Sequence, residues 1–577
     1  MPVRNNDIAA AFEEIADLLD IEGANALRVR AYRNAARVLR GLSTEVSEML
    51  ARGRDLTELP GIGKDLAGKI GEVVKTGSCD ILKKLHKELP PALGDLLKIP
   101  GLGPKRVGTL YHKLGIRTLP QLTRAAKGGK IKDLAGFGAK IEEKILESVG
   151  GAAKKSQRFK LAVAAQYADS LVAYLKRVPG VAKVAVAGSF RRAKETVGDL
   201  DIVVTAKAKS PVMERFAAYG EVAKILAKGE TKTTVTLRCG IQVDLRLVPP
   251  ESFGAALYYF TGSKAHNIAV RAIALKRGLK INEYGVFRGE KRVAGESEDS
   301  VFHTVKLSFI PPELRENRGE IEAAAKGALP ALVELGDLCG DLHLHSKATD
   351  GRNGIREMAA AAKKLGLSYI AITDHSRAAP MAHGLDEKAL RKQMAEIDRL
   401  NAEKLGIAIL KGIEAEIRED GSLDLPDGLL SGLDLVIGAV HSGFKLSRAK
   451  QTARILKAME RPNFTILAHP SGRLIGEREP LDIDMQRIIR AAKERGCFLE
   501  LDCRPERLDL PDIYCQMAKS EGVLVAVNSD AHAAEELGNL RFGVGQARRG
   551  WLEKADVLNA RPLKQLLPLL KRTMGRA

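Results

Sequence analysis

The sequence has no C-x-x-C pair. Its six cysteines (Cys79, Cys239, Cys339, Cys497, Cys503, Cys515) are scattered over 577 residues, which argues against a disulfide framework and for reduced thiols in a cytosol. No uninterrupted apolar run approaches the roughly 18–20 residues of a membrane span, so no membrane partner is expected. The first fifteen residues carry Asp7, Glu13 and Glu14 and no apolar core, so no signal peptide is expected either. There is no low-complexity tract. What remains is the composition of a multidomain globular protein, 45% hydrophobic and 28% charged, with a cytoplasmic location expected.

Acidic residues are in deficit. The chain holds 92 Lys and Arg against 72 Asp and Glu, a net charge of +20. Half of the excess lies in residues 1–160, with 29 basic and 19 acidic residues, 29 − 19 = +10. A basic N-terminal region suggests a polyanionic partner, most simply nucleic acid. Three segments there repeat one pattern: Leu59-Pro-Gly-Ile-Gly-Lys64, Ile99-Pro-Gly-Leu-Gly-Pro-Lys105 and Leu134-Ala-Gly-Phe-Gly-Ala-Lys140. Each runs into a helical pattern. Gly-x-Gly lets backbone approach a ligand closely, and the helix start behind it offers free N–H groups to a phosphate. One copy reads equally as a helix–helix turn. Three copies, each beside a lysine, resemble helix–hairpin–helix DNA-binding motifs and make Gly61, Gly63, Lys64, Gly101, Gly103, Lys105, Gly136, Gly138 and Lys140 candidate DNA contacts. The third departs from the pattern with Ala135 in place of Pro.

Residues 188–204, GSFRRAKETVGDLDIVV, place two acids at the start of an apolar strand. In a strand Asp199 and Asp201 share a face, about 6.6–7 Å apart. Two carboxylates so placed suit a pair of divalent ions. A third acid is expected from the next strand-like run, TTVTLRCGIQVDLRLV, which offers Asp244; a salt bridge from Asp244 to Arg246 or another base is the plainer alternative. Gly188-Ser189 supplies N–H groups and a hydroxyl for a phosphate, with Arg191 and Arg192 beside it.

This set resembles the nucleotidyltransferase superfamily. Together with Tyr259-Phe260-Thr261-Gly262, Asn267, Arg271 and the upstream hairpins, it closely resembles the family X DNA polymerases over residues 1–310. The resemblance implies that Asp199, Asp201 and Asp244 hold two Mg²⁺ or Mn²⁺. It implies that Gly188, Ser189 and Arg192 grip the dNTP triphosphate. Tyr259 to Gly262 would pack on the incoming sugar, and Asn267 and Arg271 would contact the new base pair. Lys264, Ala265 and Gln242 depart from the animal members. The same family's lyase domain places its Schiff-base lysine at Lys69 and a supporting tyrosine at Tyr32. Here Asp65 stands one turn before Lys69, and an acid there raises a lysine pKa that the chemistry needs lowered.

Beyond residue 338 short apolar runs alternate with helical stretches, seven in all, which argues for a parallel barrel. Their ends supply His343, His345, Asp350, His375, Glu414, His441, His469, Asp530 and His532, and six of the chain's eleven histidines are in that set. Mixed His and carboxylate ligands suit Zn²⁺, Mn²⁺ or Fe²⁺. The set resembles the PHP (polymerase and histidinol phosphatase) domain, which implies three divalent metals in a distorted (β/α)₇ barrel that hydrolyses phosphoesters. Arg473 is a candidate phosphate contact, and His383 a loop residue near the site.

The expected architecture is multidomain α+β and α/β. A lyase-like helical domain covers 1–85 with the first hairpin, and a fingers-like helical domain covers 86–160 with the second and third. A mixed-sheet palm covers 161–251, a thumb 252–311, a linker 312–338 and the PHP barrel 339–577. The expected function is filling of short gaps in DNA repair by a monomer acting on gapped or nicked DNA and dNTPs. The barrel is expected to act as a 3′→5′ exonuclease, with AP endonuclease or 3′-phosphatase activity as further options. The alternatives are a non-polymerase nucleotidyltransferase, or a small-molecule phosphatase with a non-catalytic DNA-binding half.

Overall fold

The computed structural model describes residues 3–575 except 4, 41, 43–45, 98, 100, 135, 139, 140, 143, 144, 147–157 and 379–382. The chain divides into two compact units, 1–157 and 158–577.

The first unit is helical. In the helix Asn5–Glu22 the apolar residues Ile8, Phe12, Ile15 and Leu19 recur at helical spacing and form a buried stripe. Against it pack Ala26–Arg40, Lys64–Thr76, Asp80–Glu88 and Pro104–Leu114. The three Gly-x-Gly segments adopt one turn. Ile62 N donates to Leu59 O at 3.1 Å, Leu102 N to Ile99 O at 3.0 Å and Phe137 N to Leu134 O at 2.9 Å. The first glycine of each is left-handed, with φ of +75° at Gly61, +89° at Gly101 and +85° at Gly136, a conformation glycine adopts without steric cost. A Cβ on any of the six glycines would meet nothing within 4 Å, so they serve backbone shape and leave the turn open to a ligand. Gly63 and Gly103 cap the helices that follow. The third copy shares this bond and this left-handed glycine, while Ala135, where it departs from the pattern, lies outside the described residues. Lys64 and Lys105 are exposed; Lys140 lies outside the described residues. Arg106, unremarked in the sequence, bonds the carbonyls of Gly101 at 2.7 Å and Gly136 at 3.0 Å and ties the second hairpin to the third.

The second unit opens with a five-stranded mixed sheet. Its spatial order is Val181–Val186, Asp199–Ala206, Gln242–Leu247, Lys232–Leu237, Val222–Lys228. Only the Asp199 and Gln242 strands run parallel. Helices Phe253–Thr261 and Lys264–Leu275 follow, then a small antiparallel sheet over 280–294 and the helix Glu298–Thr304. Residues 312–338, read from sequence as a linker, are built into this unit. Leu314, Ile321 and Ala324 join its core, and Arg315 and Glu320 are fully buried. Arg315 pairs with Glu298 at 2.7 Å and lies over the rings of Phe302 and Phe309.

Seven parallel strands then form the barrel. Gly340–Leu344, Tyr369–Ile372 and Ala408–Lys411 make one ladder. Glu414–Glu416, Ile437–Ala439, Ile466–Leu467, Phe498–Asp502 and Val525–Asn528 make another. Ala408–Lys411 continues past Gly412 and Ile413 into Glu414–Glu416, so the ladders share a broken strand, joined by a bridge from His375 to Glu414. The first and last strands are sewn together by side chains. Asn559 Nδ2 donates to Gly340 O at 2.8 Å and Val527 O at 2.7 Å, and Asn528 Oδ1 accepts from Leu342 N at 3.1 Å. Leu508 and Phe542 of the barrel half pack into the core of the mixed sheet, so this unit shares core between its two halves. No helix among the described residues is long and apolar enough to cross a membrane.

Two candidate metal centres

The parallel pairing of Asp199–Ala206 with Gln242–Leu247 sets Asp201 directly opposite Asp244. Asp199 stands two residues earlier on the same face and is exposed, whereas Asp244 is 9% exposed. Burial, then the neighbouring charges of Asp199 and Asp244, push the Asp201 carboxyl up to about 6, as closely grouped buried acids do. Part of that charge is met by bases. Lys232 Nζ lies 2.9 Å from Asp244 Oδ2 and Arg246 Nη2 lies 3.7 Å from it, while Arg246 stacks on Phe260 at 3.9 Å. The salt bridges foreseen as the plainer reading of Asp244 therefore exist, alongside the acid cluster. Gly188 is left-handed at φ +64°, and a Cβ there would fall 2.7 Å from Asp201 Oδ2. Only glycine lets this turn close on the acid.

A cleft of about 750 Å³ opens over these acids. Gly188, Ser189, Arg192, Asp199 and Asp201 line one side, and Tyr259, Phe260, Thr261, Gly262, Asn267 and Arg271 the other. Asp244, paired opposite Asp201, is not among the residues that line the cleft. Arg158 and Lys194, which sequence reasoning passed over, also line the cleft. Arg191 is turned away from it. Its guanidinium makes a two-pronged pair with Glu298 at 2.8 and 2.6 Å and donates to Thr261 Oγ1 at 2.9 Å. Arg192 donates through Nη1 to the Thr261 carbonyl and through Nε to Glu316 at 3.1 Å. Asn267 Nδ2 donates to Tyr259 O at 2.8 Å.

The second centre lies inside the barrel. All nine residues picked from the strand ends converge. His345, Asp350, His375 and His532 form one group of possible ligands, His343, His345 and Asp530 a second, and His375, Glu414 and His441 a third. His469 Nε2 lies 3.0 Å from Glu414 Oε1 and completes the set. His343 Nε2, His345 Nδ1 and His469 Nδ1 are buried without a hydrogen-bond partner. Buried orphan donors and acceptors in one cluster fit bound cations. His469 and Asp530 also hold left-handed backbone, φ +25° and +48°, strain of the kind that persists where a site over-determines it.

Carboxylates behind the ligands aim the rings. Glu500 Oε1 accepts from His343 Nδ1 at 2.8 Å and Glu500 Oε2 from His469 N at 2.8 Å. Glu416 Oε2 accepts from His441 Nδ1 at 3.0 Å. The two ring bonds turn Nε2 of His343 and His441 toward the centre, whereas the His469 bond comes from its backbone amide and fixes the strand end. Burial depresses His345 to about 3, helped by the rings of His532 and His375. Against burial, Glu414 and Asp350 raise His375 to about 10, and Glu414 with Glu416 raises His441 to about 9.

Two readings from sequence need correction or placement. Arg473 is not available to a phosphate. It is spent on Arg507 O at 2.9 Å, Leu508 O and Glu195 at 2.8 Å. A guanidinium that does stand beside the candidate ligand cluster is that of Arg504, a third exposed, with Nη1 3.6 Å from Asp530 Oδ2. His383 lies in a turn at φ +53° and belongs to none of the three ligand groups.

In the first unit Lys69 is ion-paired to Asp65. Its ammonium stays above the ordinary range because Asp65 and Tyr32 outweigh the burial that would lower it.

Segments of the chain match known families in the order the fold places them. They are a helix–hairpin–helix domain over 3–79, a SAM-like helix–hairpin–helix tandem over 93–150, the DNA polymerase beta palm over 163–239, the DNA polymerase beta thumb over 256–316 and the PHP domain over 341–502. The chain is 40% identical to the DNA polymerase/3′-5′ exonuclease PolX of Bacillus subtilis (strain 168), over 99% of this chain and 100% of that protein. It belongs to the family X DNA polymerases that carry a PHP domain. Within that frame, a probable phosphatase of Thermoanaerobacter sp. (strain X514) is 31% identical over 41% of this chain and 96% of its own length. DNA polymerase lambda of Rattus norvegicus is 25% identical over 54% of this chain and 56% of its own. Family X membership fits the hairpins, the mixed sheet with its cleft, and the barrel, and it makes divalent metals an expected requirement of both centres.

Proposed function

We propose that this protein is a DNA-directed DNA polymerase that fills short gaps, fused to a metal-dependent 3′→5′ exonuclease. The observation that carries the reading is the pairing, in one compact unit, of an acid-floored nucleotide cleft with a nine-residue ligand cluster. In the cleft Asp199, Asp201 and Asp244 would hold two Mg²⁺ or Mn²⁺. Ser189 and Arg192 would bind the triphosphate, Tyr259 to Gly262 would pack on the sugar, and Asn267 and Arg271 would meet the base pair. In the barrel the nine ligands would hold three divalent ions, of Zn²⁺, Mn²⁺ or Fe²⁺ type. Bound cations supply charge neutralisation and Lewis acidity at both sites; the protein's own part is to position the reacting groups. The hairpin glycines with Lys64 and Lys105 would grip backbone phosphates of gapped or nicked DNA.

The test is Mn²⁺-dependent extension and trimming of a primer on a gapped duplex. Extension without preference for a template, or no extension at all, would overturn the polymerase half. The likeness to a phosphatase supports a second reading of the barrel, removal of 3′ phosphates, which a 3′-phosphorylated primer distinguishes from trimming.

Arg504 takes the role that sequence assigned to Arg473. A charge-assisted bond to a phosphate contributes about 1.5–3 kcal/mol. Arg504→Ala should therefore raise KM for phosphoester hydrolysis about 10-fold or more and leave extension unchanged; an unchanged KM removes Arg504 from the substrate site. Lyase activity is not expected. Wild-type protein incubated with 5′-deoxyribose-phosphate DNA and borohydride should give trapping at background level, and Asp65→Asn should raise it by lowering the Lys69 pKa. Strong trapping by the wild type would contradict this.

A further inference from the structure

One cation of the nucleotide cleft is held by the barrel half of the chain. Arg549, on the helix Leu540–Arg549, is 2% exposed. Its Nη1 donates to the Arg192 carbonyl at 2.7 Å and pairs with Glu316 at 3.0 Å, and its Nη2 pairs with Asp512 at 2.7 Å. Glu316 in turn holds Arg192 Nε at 3.1 Å. Arg318 adds a second pair to Asp512 at 2.9 Å. Lys194, which lines the cleft, faces the same Glu316 and Asp512.

We infer that Arg549 is a positioning residue for nucleotide binding, holding the Ser189–Lys194 turn and, through Glu316, the Arg192 guanidinium in the shape that grips a triphosphate. The inference rests on the polymerase reading of the cleft. Two independent observations support it. First, the turn needs holding. Ala193, next to the bonded carbonyl, sits in left-handed backbone at φ +50°, which a non-glycine residue adopts only when its surroundings fix it. The barrel helix also seats directly on this residue, since a Cβ on Gly545 would lie 3.0 Å from Ala193 Cβ. Second, the cluster is not neutral. Among the described residues Arg192, Arg318 and Arg549 make their ion pairs to Glu316 and Asp512, which also act on Lys194, so four cations share these two acids. Largely buried cations in excess of their acids suit a polyanion at the cleft. Without Arg549, Glu316 keeps Arg192 and Lys194 as its own partners and draws them from the cleft, while the Arg192 carbonyl loses its donor.

The test is steady-state gap filling by the full-length chain as Arg549→Met, with Gly545→Val as a variant that presses on Ala193 without touching the charges. Hydrolysis of p-nitrophenyl thymidine 5′-phosphate by the barrel and the thermal midpoint are measured alongside. KM for dNTP should rise about 10-fold in each variant, with kcat within about threefold, the split expected when binding alone is impaired. Hydrolysis should be unchanged. Unchanged KM in folded Arg549→Met overturns the inference. If Arg549→Met loses both activities or fails to fold, Gly545→Val decides alone, and unchanged KM there overturns it. Failure of the wild type to extend any primer would instead refute the polymerase reading, and the inference with it.

Discussion

Asp244→Ala should lower primer extension by about 10³-fold or more and leave phosphoester hydrolysis in the barrel within about twofold of wild type. Preorganised charge at a phosphoryl-transfer site is where single substitutions cost most. Asp244 is one of three carboxylates that would share two cations, and it is the buried one. Its loss does more than remove a ligand. Lys232, now 2.9 Å from Asp244, and Arg246 at 3.7 Å would be left facing Asp201, and their charge would repel an incoming divalent ion. Asp244→Asn keeps the shape and the bond from Gln242 but not the charge, so it should fail nearly as badly. The measurement is single-turnover insertion on a gapped duplex at saturating dNTP and Mn²⁺. Extension within tenfold of wild type would remove Asp244 from the metal site and leave it the salt-bridge partner that its neighbours also permit.

The acids illustrate what a linear pattern can and cannot carry. Asp199 and Asp201 share a face because strand side chains alternate, and that is readable from spacing. Asp244 is brought opposite Asp201 by parallel pairing of strands about forty residues apart, which no local rule dictates; likeness to a family supplied it. That the nine barrel residues would gather was legible because they stand at or just past the ends of apolar runs, and strand ends on one side of a barrel meet around one mouth. The residues that aim those ligands were not. Glu500 and Glu416 look like lone acids inside strands, and the only signal is that a carboxylate flanked by leucine or alanine in a buried strand must have a partner. Arg473 failed for a related reason. Lying just past a strand end says that a side chain is near the mouth, not which way it points, and its guanidinium is spent on Glu195 and two carbonyls. Residues 312–338 looked like a linker because prolines flank a charged, helix-like stretch. Arg315 is buried there only because Glu298 and three aromatic rings enclose it, a tertiary fact.

The reverse separation is expected at the barrel. Glu414→Gln should abolish phosphoester hydrolysis, by about 10³-fold or more, and leave gap filling at its wild-type level. Glu414 is the hub of the second centre. Its carboxylate oxygens lie 2.7 Å from His375, 3.0 Å from His469, 3.3 Å from His441, 3.5 Å from His343 and 3.7 Å from His345, and the side chain is 1% exposed. Five imidazoles around one buried anion can accept cations only while that anion helps to neutralise them. Glutamine preserves the volume but removes the one anionic ligand at the centre of the five rings, so the charge that offsets a bound dication is lost. Bound metal per chain, measured by mass spectrometry after dialysis, should fall together with hydrolysis; a hydrolysis loss at full metal content would instead make Glu414 a base or a substrate contact. The paired outcome matters more than either variant alone. If Asp244→Ala and Glu414→Gln each removed both activities, one shared centre would explain the chemistry and the assignment of separate roles to cleft and barrel would fail. If each removes only its own, the shared core and the Arg549 link join two catalytic sites that remain chemically independent.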